Sequence, residues 1–426
     1  MRAKNYSIKQ HKCMISGSER LEQFLDLGVQ PNGNNFPDEK TKDQEITYPL
    51  SMSVCLDSWL VQIDDYPPPE VVFSDHPYIT GVNVPVVKHF EQLSKHIVQK
   101  FELPPQSFII DIGANDGTFL NCFRELGMRT LGVDPGQRTG KLAKARGITV
   151  CETFWNRRTG ESLRALNLAP SVITATAVFY HVPDLHEFVA GLAEVMNDQT
   201  IFAAQCVYMK SVLEELQFDH FYHEHTCIYS LKPLQQLFTQ HKMRIIDVEF
   251  YDIHGGSFVV YVAKETSPLP TSQSVATAIA QEEKAGLFKI ETYREFARKV
   301  KSNCDNLVKL LKELQQDKKS VYALGAPLKG STLLNYCKIG PELVHKAVEV
   351  NQFKIGRLTP GTHIPIIAED QVTTQPDYYL VLAWNFLDHF VKTHQKYLQA
   401  GGKFIVPNPK VGIVDATGFH PWEKSK

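Results

Sequence analysis

The stretch Phe108-Ile109-Ile110-Asp111-Ile112-Gly113-Ala114-Asn115-Asp116-Gly117 decides how the rest of this chain is read. An apolar strand runs without a break into a turn with glycine at both ends, and a helix-like stretch follows. Glycine allows the tight strand-to-helix turn and close backbone approach to a ligand, while the helix N-terminus offers free N–H groups. Further on, Leu131-Gly132-Val133-Asp134-Pro135 puts an acid at the tip of a second strand. That position is suited to accepting hydrogen bonds from both hydroxyls of a ribose.

Two cofactor classes use such a turn. A nicotinamide or flavin dinucleotide favours G-x-G-x-x-G, so that its pyrophosphate can lie over the backbone. Here the pattern is Asp111-x-Gly113-x-x-x-Gly117 with Asn115 inside it, and Asp116 would repel a pyrophosphate. A carboxylate beside the turn suits the sulfonium and amino groups of S-adenosylmethionine. That is the expected cofactor, with S-adenosylhomocysteine as its product and a dinucleotide as the alternative. Asp111, Gly113, Asn115, Asp116, Gly117, Asp134 and Pro135 are the residues expected around it.

Outward from this turn, apolar strands alternate with helical stretches: Phe108–Ile112, Thr130–Val133, Ile148–Cys151, Val172–Ala175 and Thr200–Ala204. Such alternation implies βαβ units and a parallel sheet. Arg244–Phe250 and Gly256–Ala263 read as a closing antiparallel edge. After the loop Thr266–Ser272, apolar residues from Phe296 to Leu314 recur at helical spacing, which predicts one long amphipathic helix. A second alternation follows at Ser320–Gly325, Lys346–Val350, Tyr378–Ala383 and Lys403–Val406. Before all of this lie residues rich in Pro, Asn and Asp, with short strands at Tyr48–Val54 and Trp59–Ile63, then a helix over Val84–Phe101. The fold class is α/β: two Rossmann-like doubly wound domains, over 81–265 and 266–426, with a small loop-rich N-terminal domain over 1–80.

Charge excludes some functions. The 426 residues carry 45 basic and 47 acidic side chains, a net charge of -2, without basic clusters. Nucleic acid and anionic membranes are therefore unexpected partners. No apolar run reaches the length of a membrane span, and the polar start at Met1–Asn5 carries no signal peptide. The eight scattered cysteines fit a reducing cytoplasm. No stretch marks a subunit interface, and a monomer is the expectation.

Two stretches concentrate chemistry. Ala177-Val178-Phe179-Tyr180-His181-Val182-Pro183-Asp184 follows the fourth strand, at the edge where substrates of doubly wound sheets lie. Asp219-His220-Phe221-Tyr222-His223-Glu224-His225-Thr226 follows the fifth strand and its helix. Methyl transfer to a neutral carbon needs a carbanion next to a carbonyl, hence a base for the α proton and a group to stabilise the enolate oxygen. His225 or His223 suits the base, since imidazole titrates near neutrality. Tyr222 suits the enolate or the orientation of the base, and Glu224 suits the histidine tautomer. A metal between His223 and His225 is the weaker alternative, because H-E-H lacks the i, i+4 spacing of helical zinc sites. His254-Gly255-Gly256-Ser257 fits close approach of backbone to ligand, or a plain strand-entry turn. Gly325-Ala326-Pro327-Leu328-Lys329-Gly330-Ser331-Thr332 follows a strand and opens a helix, so its N–H groups with Lys329 suit a phosphate. Asn335, Lys354, Arg357 and His363 add polar and basic groups, and a diphosphate is the simplest ligand for them.

With these motifs in order, the chain resembles the three-domain C-methyltransferases that build branched sugars on nucleotide carriers. The resemblance spans nearly the whole chain. It rests on the Asp111–Gly117 turn, Tyr222-His223-Glu224-His225, His254-Gly255-Gly256-Ser257, Leu333-Leu334-Asn335-Tyr336, Pro360-Gly361-Thr362-His363-Ile364-Pro365 and Trp384-Asn385-Phe386. It implies S-adenosylmethionine in the middle domain and a dTDP- or GDP-linked keto sugar partly held by the last. The reaction implied is methylation at C-3 of a 4-keto-6-deoxyhexose. His225 matches the family's proposed general base, and Tyr222, Glu224, His181 and Tyr78 match its supporting positions. Two departures stand out. The family's first domain binds zinc through two C-x-x-C pairs, which here read Cys13…Ser16 and Cys55…Ser58. Serine is a poor zinc ligand, so loss of the metal is expected even with His11 nearby. The second is Ala177, where the family commonly has Asn. Enolisation alone would give a keto-sugar 3-epimerase, and the altered first domain leaves a non-catalytic sugar-nucleotide-binding role as a third reading.

Overall fold

The computed structural model describes residues 7–73 and 78–422. The N-terminal part is built on β1 (Leu21–Pro31), β2 (Thr47–Cys55) and β3 (Val61–Ile63), an antiparallel meander. The sequence reading anticipated β2 and β3 but not the long β1. Its pairing with β2 slips between Gln23 and Leu25 and again between Asp26 and Val29. Each slip breaks the period-two alternation by which a strand is recognised. The fourth strand of this sheet comes from far along the chain: Cys227–Ile228 pairs with β3, and Ile63 N–H donates to the Thr226 carbonyl (3.0 Å).

Helix α1 (Val84–Lys100) then leads into the central sheet. The Asn83 side chain caps its N-terminus by accepting from Val86 N–H, and Pro85 stands in the first turn where no N–H is needed. Its stripe Val86, Phe90, Leu93 and Ile97 is buried, each large side chain contributing about 2 kcal/mol by leaving water. There follow β4 (Phe108–Ile112), α2 (Thr118–Glu125), β5 (Arg129–Val133), β6 (Val150–Cys151), β7 (Val172–Thr176), β8 (Ile201–Val207), β9 (Met243–Tyr251) and β10 (Ser257–Lys264). Their order across the sheet is β9-β10-β8-β7-β4-β5-β6. The pairs from β8 to β6 are parallel and β10 runs antiparallel to both neighbours, the closing edge expected from the sequence. The winding reverses between β4 and β7, which opens a crevice at their C-terminal ends.

Helix α3 (Ile290–Gln316) buries Phe296, Val300, Leu307, Leu310, Leu311 and Leu314, the stripe read from the sequence. It precedes β11 (Val321–Leu324), α4 (Leu328–Tyr336), β12 (Lys346–Glu349), β13 (Ile366–Ala368), β14 (Tyr378–Val381), β15 (Lys403–Val406), β16 (Gly412–Asp415) and β17 (Gly418–Pro421). These form a second seven-stranded sheet, ordered β13-β12-β11-β14-β15-β16-β17, parallel up to β15 and closed by an antiparallel hairpin. The molecule is thus α/β, with two Rossmann-like units and a smaller strand-rich N-terminal part. No helix among the described residues is long and apolar enough to cross a membrane.

Candidate active site

A cleft of about 450 Å³ opens where the switch between β4 and β7 predicts one. Its floor is the glycine turn. Gly113 donates to the Val133 carbonyl (2.7 Å) and holds φ +73°. A Cβ there would stand 2.2 Å from Val178 Cγ2, so the position excludes any side chain. Asn115 N–H donates to Asp134 Oδ2 (2.8 Å), and Gly136 N–H to Asp134 Oδ1 (2.8 Å). These bonds fix the carboxylate at the cleft wall beside Pro135. The Asn115 side chain reaches the other way, accepting from Thr80 N–H (3.0 Å) and donating to the Tyr78 carbonyl (3.2 Å). Ala177 lines the cleft with φ +57°, a left-handed backbone that Asn adopts more readily than Ala.

The expected acids play different parts. Asp111 lies beneath the cleft, accepting from Thr174 Oγ1 (2.6 Å), and burial pushes its carboxyl up to about 7. Asp116, expected to face the cofactor, is turned away from the cleft. Its oxygens take Gly81 N–H (3.1 Å), Thr118 Oγ1 (2.7 Å) and Arg146 (3.1 Å). Its role there is to stitch the loop before α1 to the start of α2. Gly117 sits at the head of α2 with φ +75°, also off the cleft wall.

Three parallel imidazoles lead inward from the cleft. His181 lines it, stacked between Phe73 (5.5 Å) and His225 (5.2 Å). His225 in turn lies over His220 (6.0 Å, 16° between planes), with the Tyr222 ring at 3.8 Å and Tyr180 at 4.6 Å. His225 Nδ1 stands 2.7 Å from the His220 carbonyl. A carbonyl only accepts, so Nδ1 carries the proton and Nε2 the lone pair. Burial, reinforced by His181 and His220, holds this imidazole well below its usual range and therefore neutral. Burial likewise lifts Tyr222 well above the usual phenol range, keeping it a hydrogen-bond donor.

Glu224, expected to set the histidine tautomer, accepts instead from Asn34 Nδ2 (2.7 Å) of the N-terminal part. The tautomer belongs to the His220 carbonyl. His223 points to the Pro49 carbonyl (3.0 Å) and packs edge-on to Tyr48, so the two histidines of H-E-H diverge. Asn34 was missed in the sequence because Asn32-Gly33-Asn34-Asn35 reads as an ordinary turn.

The other expected substrate residues divide. His254 lines the cleft with φ +59°, and burial drives it down to about 4. Gly255 and Gly256 follow it, and a Cβ on Gly256 would meet Ser211 Oγ at 2.5 Å. Lys329 lies deeper, beside Asp219. Lys354 donates to the Ala326 carbonyl (2.9 Å), Arg357 to the Phe36 carbonyl (3.0 Å), and His363 pairs with Glu45 (2.6 Å). Asn335 bonds the Ser331 and Pro360 carbonyls (2.8 and 3.0 Å). Arg357 and His363 thus sit on the seam between the C-terminal unit and the N-terminal part, and none of these last four lines the cleft.

The degenerate metal positions do converge. Cys13 Sγ lies 3.1 Å from Ser58 Oγ, and Cys55 Sγ 3.6 Å from Ser16 Oγ, while backbone N–H groups of each turn point at the sulfurs. Two thiols and two hydroxyls do not fit structural zinc, which takes four sulfur or nitrogen donors. Among the described residues no group of three or more His, Cys, Asp and Glu is arranged to hold a metal.

A glycine turn below a cleft with a strand-tip acid on its wall suits S-adenosylmethionine, and a buried imidazole lies one ring behind that cleft. Comparison with known sequences agrees. Family models described as a putative zinc binding domain, a methyltransferase domain and a C-methyltransferase C-terminal domain match residues 13–73, 87–247 and 252–409. The C-methyltransferase NovU of Streptomyces niveus is 30% identical over 407 residues, covering 95% of this chain and 97% of the relative. The chain belongs to the three-domain C-methyltransferase family, and its cofactor is S-adenosylmethionine. Among solved structures, the plantazolicin methyltransferase BpumL is 13% identical, with TM-score 0.34, over 41% of this chain and 82% of that one. Magnesium protoporphyrin IX methyltransferase from Synechocystis PCC 6803 is 11% identical, with TM-score 0.33, over 42% of this chain and 82% of that one.

Proposed function

We propose that this C-methyltransferase acts on C-3 of a dTDP- or GDP-linked 4-keto-6-deoxyhexose, through an enolate, in the cytoplasm. One observation carries the reading: His225 is neutral, with its proton on Nδ1 and its lone pair on Nε2, one ring behind the cleft. A methyltransferase acting on oxygen or nitrogen has little use for such a base, whereas carbon must first lose a proton.

Gly113, Asn115, Asp134 and Ala177 would hold the cofactor, whose sulfonium supplies an electrophilic methyl group when bound. His225 Nε2 takes the proton from C-3, and the C–H electron pair moves to the C-4 oxygen. The Tyr222 hydroxyl stabilises that oxygen. The enolate carbon is then the nucleophile for the methyl group that the bound cofactor would supply, the electron pair of the carbon–sulfur bond staying with sulfur. His181 and Tyr78 shape the cleft side of this site, and Asn34 steadies Glu224 beneath it.

The test is incubation with dTDP-4-keto-6-deoxyglucose in heavy water, with and without S-adenosylmethionine. Methyl gain with the cofactor and deuterium gain without it are expected. Deuterium without methyl transfer would make the protein an epimerase, and neither change would leave it a binding protein.

A further inference from the structure

The turn Gln217–His220, which carries the carbonyl that orients His225, contains polar atoms that the protein leaves unmatched. Oε1 of Gln217, Oδ1 of Asp219 and both ring nitrogens of His220 are buried without a hydrogen-bond partner among the described residues. The three residues are 1%, 0% and 5% exposed. The His254 carbonyl lies beside the His220 ring but outside bonding geometry. Each unmatched atom of this kind has lost its hydration without gaining a bond, so a cluster of them implies a missing partner.

The surroundings are organised rather than loose. Trp384 Nε1 donates to Asp219 Oδ2 (2.8 Å), and the buried Lys329 Nζ stands 4.0 Å from the same oxygen. Lys329 also donates to Asn385 Oδ1 (2.5 Å) and lies over the Trp384 ring (4.8 Å). Gln217 Nε2 is fixed on the Gly255 carbonyl (2.5 Å). The single amide oxygen of Gln217 and the second carboxylate oxygen of Asp219 are thereby left open, on the turn whose His220 ring stacks on His225 and which is tied to the residue after His254.

We propose that Gln217, Asp219 and His220 bind the hydroxyl groups of the substrate's sugar ring, and that Lys329 is a positioning residue for Asp219. This rests on the keto-sugar reading above. The unmatched set decides the ligand class. Two of its atoms only accept and the imidazole both donates and accepts, so the partner must bring O–H donors. An ionised phosphate has none, and the Asp219 carboxylate would repel it. Lys329 already has its counter-charge in Asp219, which removes it from the diphosphate role that its loop suggests.

Calorimetric titration of the full chain, in the presence of S-adenosylhomocysteine, separates the outcomes. The probes are dTDP and dTDP-4-keto-6-deoxyglucose, and the variants are Asp219→Asn and His220→Phe. Both variants should bind the sugar nucleotide about tenfold or more weakly while binding dTDP as the wild type does. His220→Phe should hold or raise the thermal midpoint, because it removes buried unmatched nitrogens and keeps the backbone carbonyl that orients His225. Equal losses for both probes would make this a phosphate site, and unchanged affinities would assign the atoms to trapped water alone; either overturns the proposal. A wild type that neither methylates nor binds the sugar nucleotide overturns the keto-sugar reading itself, and this assignment with it.

Discussion

His225 works as a base only while Nε2 is unprotonated, and its environment extends that condition toward acid. The folded imidazole is held well below the ordinary imidazole value of 6.5 by burial first and by His181 and His220 next. A depressed value means the neutral form survives as pH falls through 6.5 and is lost only below it. The acid limb of kcat/KM for methyl transfer should therefore stay flat through that pH and break lower; a break at the ordinary imidazole value would remove His225 from the base role. His225→Gln should cut transfer and deuterium exchange together by about 10²- to 10⁴-fold. His223→Gln should leave exchange rates near wild type, because that ring faces the Pro49 carbonyl. Nothing in the local sequence separated these two histidines: they are two residues apart and chemically identical. Only the resemblance chose between them, and the folded chain shows the physical difference in the carbonyl that each one faces. Ala177 is a second residue-scale case. Its φ of +57° disfavours alanine, so Ala177→Asn should raise stability by about 0.5–1 kcal/mol, read as a higher urea midpoint at unchanged m.

At the scale of elements, the two glycine turns and the two cysteine–serine turns show what was legible. The bend of the turn after β4 could be read, because a positive φ and a forbidden Cβ are properties that sequence records as glycine. Gly113→Ala brings a methyl group to 2.2 Å from Val178. It should weaken S-adenosylhomocysteine binding by about 100-fold or more and destabilise by about 2–4 kcal/mol, as seen by calorimetry and urea unfolding. Strand β1 could not be read, because its two register slips scramble the alternation that would have announced it. The orientation of Asp116 was equally hidden: spacing places a carboxylate near a turn but does not say which neighbours take it, and here Arg146 and Thr118 do. In the N-terminal part, Cys13, Ser16, Cys55 and Ser58 keep the convergence of a metal knuckle with hydrogen bonds across it. The purified protein should carry zinc far below one equivalent and keep its thermal midpoint in EDTA. Ser16→Cys with Ser58→Cys should restore four thiolates, bind zinc and raise that midpoint, and failure to bind would show that the two turns have moved beyond tetrahedral reach.

At the scale of the whole molecule, the three larger sheets share a strand and a core. The N-terminal sheet borrows Cys227–Ile228 from the central unit, two residues beyond His225. Phe24 of β1 packs on Tyr293 and Phe296 of α3 (5.2 and 6.4 Å) and on Phe221 (6.2 Å). Helix α4 reaches the same loop, with Thr332 Oγ1 donating to the Phe221 carbonyl (3.3 Å). One continuous apolar cluster accordingly includes Leu25, Ile110, Phe221, Phe296, Leu334 and Ile405. A ligand that binds only the native state stabilises whatever unfolds cooperatively with its site, by about 2.7 kcal/mol at a hundred times Kd. If the parts unfold together, saturating S-adenosylhomocysteine at that excess should slow hydrogen exchange by about 100-fold in the most protected amides of β2, β8 and β14 alike. Slowing confined to β8 and its neighbours would mean that the borrowed strand and the shared cluster do not couple the units. The Tyr222–His225 loop would then be held by the central unit alone, and Asn34→Ala would leave its exchange unchanged. Coupling predicts the reverse: Asn34→Ala should speed exchange in residues 222–226 while leaving β14 protected, because Asn34 is the N-terminal contact that grips Glu224.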